Sequence, residues 1–246
     1  MVGVILAGVS GRTGREVGRA VVAAPDLRLV GALGHGSVGR DAGEAMGMAP
    51  LGVPIAATLP AFPPPEGTVY VDFTRADAAR ANVPTALAMG LPAVVGTTGF
   101  DARDLEAFES AARAAGVGVC VIANFALGAA LTARLSALVV DVFPDVEIVE
   151  LHGSHKRDRP SGTAAALAAD LAGRRPGGRE VPVHSVRLPG LVAHQEVLFG
   201  RPGELITLRH DVFSREAYTQ GVLLAIRRVG RLRGLVTRLE EVWEGA

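Results

Sequence analysis

A histidine and a lysine four residues apart, His152 and Lys156, stand at the end of an apolar run and just ahead of Pro160-Ser161-Gly162-Thr163. Those residue types in that order suit proton transfer beside an anion. An imidazole both gives and takes a proton near neutral pH. Lysine is a compact cation whose proton affinity shifts when it is partly buried, whereas arginine stays charged. Of the 25 lysines and arginines only Lys156 is a lysine, so a cation needed for solvation alone would be expected as arginine. Pro160 suits the first turn of a helix, Ser161 or Asp158 its cap, and Gly162 leaves the exposed N–H groups of the helix start open to an anion, with Thr163 adding a hydroxyl. A cation and a helix start together form a receptor for a substrate carboxylate, and His152 stands where a proton would be delivered.

A second chemical signal lies near the start of the chain. Gly8, Gly11 and Gly14 punctuate "GVSGRTG", with Ser10 where the stricter G-x-G-x-x-G pattern has its second glycine. A turn that follows a strand and opens a helix needs positive backbone dihedrals and close approach to a pyrophosphate, which the helix N-terminus favours. The alternative is a structural turn that binds nothing. An NAD-preferring site would carry an acidic residue about 20 residues further on, at the ribose hydroxyls. Here Gly34 and His35 end the second strand without a carboxylate, and Arg12, inside the turn, is placed to stack on adenine or to meet a 2′-phosphate, with His35 or Arg40 as helpers. NADPH is therefore expected to bind at least as well as NADH.

The elements that position these residues read in two styles. Val2 to Leu6, "LRLVGAL", "TVYVDFT", "LPAVVGTTG" and "GVGVCVIAN" are apolar strands separated by helical segments, among them one with Leu105, Phe108, Ala111 and Ala112 on one face. Such alternation implies a parallel sheet covered on both faces. After Asn124 a helix leads to the strand "DVEIVELHGS", to the helix beyond Pro160, and to three strand-like runs without helices between them. The expected fold class is α/β: a Rossmann-type dinucleotide-binding domain, residues 1–124 and 216–246, with a second α+β domain, 125–215, carrying a mixed sheet. "PAFPPPEG" reads as a connector inside the first domain, and "AYTQGVLLAIRRVGRLRG" as helical.

Composition narrows the partners. Lys+Arg and Asp+Glu both number 25, so no basic surplus points to nucleic acid or anionic lipid, and no acidic block marks a solvated tail. A single cysteine, Cys120, excludes an intrachain disulfide and leaves too few thiols for a zinc cluster, as expected in a reducing compartment. It reads as a core residue. The apolar opening lacks a basic leader, and no apolar run approaches the roughly 18 residues of a membrane span. The expectation is a soluble, cytoplasmic protein with a small-molecule ligand, no metal, no nucleic acid and no membrane.

"ELHGSHKRDRPSGTA", from Glu150, resembles the signature of the 4-hydroxy-tetrahydrodipicolinate reductase family, also called dihydrodipicolinate reductases. The likeness extends along nearly the whole chain, through "AGVSGRTGR", "VDFTR" at 71–75, "VVGTTGF" at 94–100 and "IANFALG" at 122–128. It implies NAD(P)H-dependent reduction of a cyclic imine dicarboxylate, 4-hydroxy-tetrahydrodipicolinate, to tetrahydrodipicolinate on the diaminopimelate route to lysine. By the same likeness His152 is general acid/base, Lys156 proton donor and carboxylate partner, and Gly162 and Thr163 hold a substrate carboxylate. Gly8, Val9, Ser10, Gly11, Arg12 and Thr13 cradle the cofactor phosphates, while Gly96, Thr97, Thr98, Ile122, Ala123, Asn124 and Phe125 line the nicotinamide pocket. A C-terminal segment that completes the nucleotide domain and a homotetramer built on second-domain sheets are implied too.

The chain departs from the family pattern in three places. Gly153 replaces a second histidine that usually contacts substrate, leaving His155 or a water for that contact. Arg159 replaces a small alanine, and Gly34 the acidic residue at the ribose. Hinges are expected near Asn124 and Arg215. Two rivals remain at this level: a related imine or amino-acid dehydrogenase, which would not need both anion receptors, and an NADPH-binding regulator without turnover, which would need no proton donor.

Overall fold

Short apolar runs become strands wherever helices can cover both their faces. In the computed structural model, which describes residues 1–59 and 64–244, six such strands fill the first half of the chain. They are β1 (Val2–Ala7), β2 (Leu27–Leu33), β3 (Ile55–Ala56), β4 (Val69–Asp72), β5 (Ala93–Val95) and β6 (Gly118–Val121), interleaved with α1 (Arg12–Ala23), α2 (Ala42–Ala45), α3 (Ala76–Ala88) and α4 (Ala102–Ala115). Then follow α5 (Leu127–Val140), β7 (Asp145–His152), α6 (Gly162–Arg174), β8 (Val183–Arg187), β9 (Ala193–Arg201), β10 (Glu204–Val212), α7 (Thr219–Arg228), β11 (Gly234–Val236) and α8 (Leu239–Glu244).

The chain divides into two compact units, Met1–Phe125 with Tyr218–Ala246, and Ala126–Ala217. The first holds a seven-stranded sheet in the order β11-β6-β5-β4-β1-β2-β3, every pair of which is parallel. All residues of β4, β5 and β6 are buried, as the continuous apolar reading requires. Tyr70, Val95 and Val119 of the sheet pack with Leu87 of α3 and Phe108 of α4. Asp101 and Asp104 form a capping box that starts α4, and Gly116 ends it at φ 66°. Cys120 is fully buried in β6, and desolvation pushes its thiol up to about 12, so it is a core residue as expected.

The second unit carries a mixed sheet, β10-β9-β7-β8, with β7–β8 parallel and the other pairs antiparallel. Here the alternation is visible. Val146, Ile148 and Glu150 are buried while Asp145 and Glu147 are exposed, so one face of β7 is covered, by Leu167 and Leu171 of α6 and Val140 of α5.

Several expectations need correction. A two-residue strand, β3, pairs with β2 ahead of the run expected as the third strand; two residues carry too little pattern to register in a sequence. The C-terminal run expected as helical from Ala217 stops at Arg228 and gives β11, which extends the parallel sheet beside β6. Pro160 lies ahead of the N-cap Ser161 rather than inside the first turn of α6, and Asp158 does not cap that helix. Of the expected proline-rich connector, residues 60–63 lie outside those described. Among the described residues no helix is long and apolar enough to cross a membrane.

Candidate active site

The glycine turn sits where β1 hands over to α1. Gly8 has φ 85°, and a Cβ there would meet the Phe73 carbonyl oxygen at 2.4 Å; a Cβ on Gly14 would meet the Gly8 oxygen at 2.0 Å. Glycine is thus required at both positions by the close passage of backbone. Gly11 is the N-cap of α1, without a side-chain cap and without an acidic residue in the first turn, so the helix start is left to an outside anion. A cavity of 290 Å³ opens beside the turn, lined by Gly8, Ser10, Gly11, Gly34 and His35 together with Thr74 and Arg75. This backbone cradle fits the pyrophosphate of a dinucleotide. Of the other residues expected there, Val9 is fully buried, and Arg12 and Thr13 are the first two residues of α1. Arg75, overlooked in the sequence, lines the cavity, whereas Arg12 does not.

Beyond the cavity, the carboxyl ends of β4 and β5 are tied together by Asp72. This residue is fully buried. Its carboxylate accepts bonds from Tyr70 Oη at 2.6 Å, Thr74 N at 3.0 Å, Thr74 Oγ1 at 2.6 Å and Thr97 Oγ1 at 2.7 Å. The Tyr70 hydroxyl is held far above its usual range by burial and then by the adjacent Asp72. Thr97 therefore turns its hydroxyl inward, while its neighbour Thr98 is exposed and Gly96 donates its N–H to the Asp72 carbonyl at 2.8 Å. After β6, Ile122 and Phe125 are buried, the Phe125 ring packing tilted against Phe73 with centroids 5.9 Å apart; Ala123 is exposed and Asn124 half-buried.

The histidine and lysine meet in the second unit at the carboxyl end of β7. His152 shares the inner face of that strand with Glu150, two residues earlier, and its Nδ1 lies 2.5 Å from Glu150 Oε2. Glu150 is wholly buried, and its other oxygen accepts from Arg187 Nη2 of β8 at 2.7 Å. Burial drives the Glu150 carboxyl upward, but bonds from Arg187, Ser185 and His152 outweigh it and hold the group below its ordinary value. For His152 burial is the larger influence and lowers the imidazole below its ordinary value, against the pull of Glu150 and with help from Lys156 and Arg187. Past the strand, Lys156 donates its N–H to the Gly153 carbonyl at 3.0 Å, and its Nζ pairs with Asp158 Oδ2 at 2.8 Å.

Helix α6 starts beside this loop. Ser161 Oγ accepts from Ala164 N at 3.3 Å as the N-cap, Gly162 is exposed with nothing within 4 Å of a Cβ placed on it, and no acidic residue lies in the first turn. Thr163 is half-buried. His155 is exposed and folds back over Gly153: a Cβ at 153 would meet its Cε1 at 2.8 Å. The ring thus occupies space that a side chain at 153 would need. Asp72, Thr74, Arg75, Asn82, Glu150 and Arg187 are polar residues of these sites that the sequence reading overlooked. Glu150 was within reach, because residues two apart on a strand share a face.

A parallel sheet with a glycine-rich turn after its first strand, in a chain whose other unit carries a mixed sheet, is the architecture of a pyridine-nucleotide-dependent oxidoreductase. The chain matches the family models "Dihydrodipicolinate reductase, N-terminus" over residues 2–125 and "Dihydrodipicolinate reductase, C-terminus" over residues 123–242. It is 42% identical to a 4-hydroxy-tetrahydrodipicolinate reductase of Synechocystis sp., covering 98% of both chains. Among solved structures it is similar to a dipicolinate-bound dihydrodipicolinate reductase from Paenisporosarcina sp. TG-14, with a TM-score of 0.77 at 32% identity over 98% of this chain and 99% of that one. An amine dehydrogenase from Mycobacterium smegmatis shares the fold, with a TM-score of 0.67 at 13% identity over 96% of this chain and 94% of that one. The chain belongs to the dihydrodipicolinate reductase family.

Proposed function

We propose that the protein reduces 4-hydroxy-tetrahydrodipicolinate to tetrahydrodipicolinate, with His152 as general acid/base and Lys156, Ser161, Gly162 and Thr163 as the receptor for substrate carboxylate. The observation that carries this reading is the end of β7, where a carboxylate-braced imidazole, the one lysine and a helix start open to anions lie on one stretch of chain. When bound, the reduced nicotinamide supplies the hydride. The 4-hydroxyl leaves with a proton from the adjacent ring carbon as water, hydride adds to the resulting conjugated imine, and His152 gives a proton to the charge that then develops on the ring. Lys156 exchanges Asp158 for the substrate carboxylate, and the N–H groups at the start of α6 receive the same anion. His155, lying over Gly153, makes the side-chain contact that Gly153 cannot.

Gly8, Ser10 and Gly11 hold the pyrophosphate. Gly96, Thr98, Ala123 and Asn124 border the nicotinamide, and Thr97, Ile122 and Phe125 support them from the core side. Gly34 and His35 follow β2, where an NAD-preferring site has its carboxylate, and the same cavity is lined by the cation Arg75, which favours NADPH or equal use of both cofactors. The dissociation constant for NADPH is expected to be no larger than that for NADH; NADH binding about tenfold tighter would contradict it. The protein is expected to work as a cytoplasmic homotetramer assembled on the open faces of its mixed sheets.

Dipicolinate, a planar dicarboxylate, tests the anion receptor without turnover. Lys156→Ala should weaken its binding by about 10- to 100-fold, the loss of one hydrogen-bonded charge. Unchanged calorimetric affinity in that variant would remove Lys156 from the receptor.

A further inference from the structure

We infer that the buried Glu150–Arg187 pair is a positioning device: Glu150 fixes the tautomer of His152, and Arg187 holds both Glu150 and the loop that carries Lys156. This rests on the assignment of His152 as the proton-transfer group. The register of the parallel pair β7–β8 places Ser185 opposite Glu150 and Arg187 opposite His152. Arg187 donates from Nη2 to Glu150 Oε1 and to the Asp158 carbonyl, each at 2.7 Å, and from Nη1 to the Val186 carbonyl at 2.7 Å. Its side chain is 2% exposed and that of Glu150 0%. Asp158 in turn pairs with Lys156. One buried cation thereby holds the brace of the histidine from one side and the loop of the lysine from the other.

The tautomer follows from the inventory of donors. An ionised carboxylate only accepts, so the Nδ1 facing Glu150 must carry a hydrogen. In the neutral imidazole that leaves Nε2 with its lone pair, and protonation adds the transferable proton to Nε2. Without the brace either tautomer is available, and in the wrong one Nε2–H cannot accept and Nδ1 takes the added proton where no substrate lies.

Glu150→Gln separates orientation from bulk. A glutamine has one oxygen for two claimants, and the cationic Arg187 is the stronger donor. The amide NH₂ must then face His152 Nδ1, which reverses the tautomer. Loss of the correct tautomer in a carboxylate–histidine pair costs up to about 10⁴-fold in kcat, and a decrease of about 10²-fold or more is expected here with KM for the cyclic imine changed by less than about threefold. Removal of the anion also lets Lys156 and Arg187 act unopposed on His152, so the basic limb of the pH–rate profile moves to lower pH.

The decisive readout needs neither substrate nor turnover. In ¹⁵N-histidine spectra of the wild type, with His152 assigned by its disappearance in His152→Gln, neutral His152 is expected as the Nδ1–H form, and Glu150→Gln as Nε2–H. An Nε2–H tautomer in the wild type overturns the inference whatever the kinetics, as does an unchanged tautomer and unchanged kcat in Glu150→Gln. Were the tautomers as expected but the wild type inert toward the cyclic imine, the proposed reaction would fail and the positioning assignment would stand.

Discussion

His152→Gln lowers kcat by about 10²- to 10⁴-fold, the usual cost of losing a positioned general acid. The side chain sits with its Nδ1 occupied by Glu150 and is 17% exposed, so glutamine replaces its volume without a new clash, and KM is expected to stay within about threefold. The pH profile gives the assignment its signature. Burial lowers the His152 pKa, so the protonated, donating form is lost at a pH below the ordinary imidazole value of about 6.5. In the wild type kcat/KM should therefore fall with rising pH through a midpoint on the acid side of that value. The same limb should be missing in His152→Gln. A wild-type limb that survives the substitution would assign the titration to another group.

Asp72→Ala is expected to destabilise the nucleotide-binding unit by about 3–5 kcal/mol, the largest effect on stability of any substitution considered. It strands four donor bonds at once, from Tyr70, Thr97 and Thr74, in a fully buried place where water cannot replace the carboxylate. The functional consequence follows from position. Thr74 lines the cavity beside the glycine turn, and Thr97 lies in the loop after β5 assigned to the nicotinamide, so both loops loosen and nucleotide binding weakens with stability. Asp72→Asn keeps one oxygen for the threonines, and the Tyr70 hydroxyl can turn to accept from the new NH₂, so it should cost about half as much. Denaturant titration of the three proteins, beside NADPH binding, measures both effects. Equal stability of wild type and Asp72→Ala would show that the network does not brace these loops.

What could be read from the sequence was what is local. The strand at 27–33 and the helices at 76 and 102 depend on runs of apolar residues, the last also on the Asp101 cap, and each formed where its pattern lay. His152, Lys156 and Ser161 were legible because strand end, loop and helix start follow one another along the chain. Glu150 has the same local relation to His152, yet the apolar run around it disguised a buried acid as part of a core strand. Arg187 was not legible at all, since its place beside His152 depends on β8 pairing with β7 in one particular register across 35 residues of chain. The same limit hid β11: its three residues acquire meaning only from the edge of β6, which they reach after the chain has passed through the second unit. At the glycine turn it is Gly8 and Gly14 that meet crowded backbone, while Ser10, in the second glycine's place, lines the adjoining cavity.

The most direct test of the central claim is turnover. Purified protein, NADPH or NADH, and substrate generated in place from pyruvate and aspartate semialdehyde by a synthase should give cofactor oxidation whose kcat/KM falls by at least about 10-fold in Lys156→Ala. Tight NADPH binding with no oxidation by the wild type would contradict the reductase reading and leave a nucleotide-binding protein without turnover.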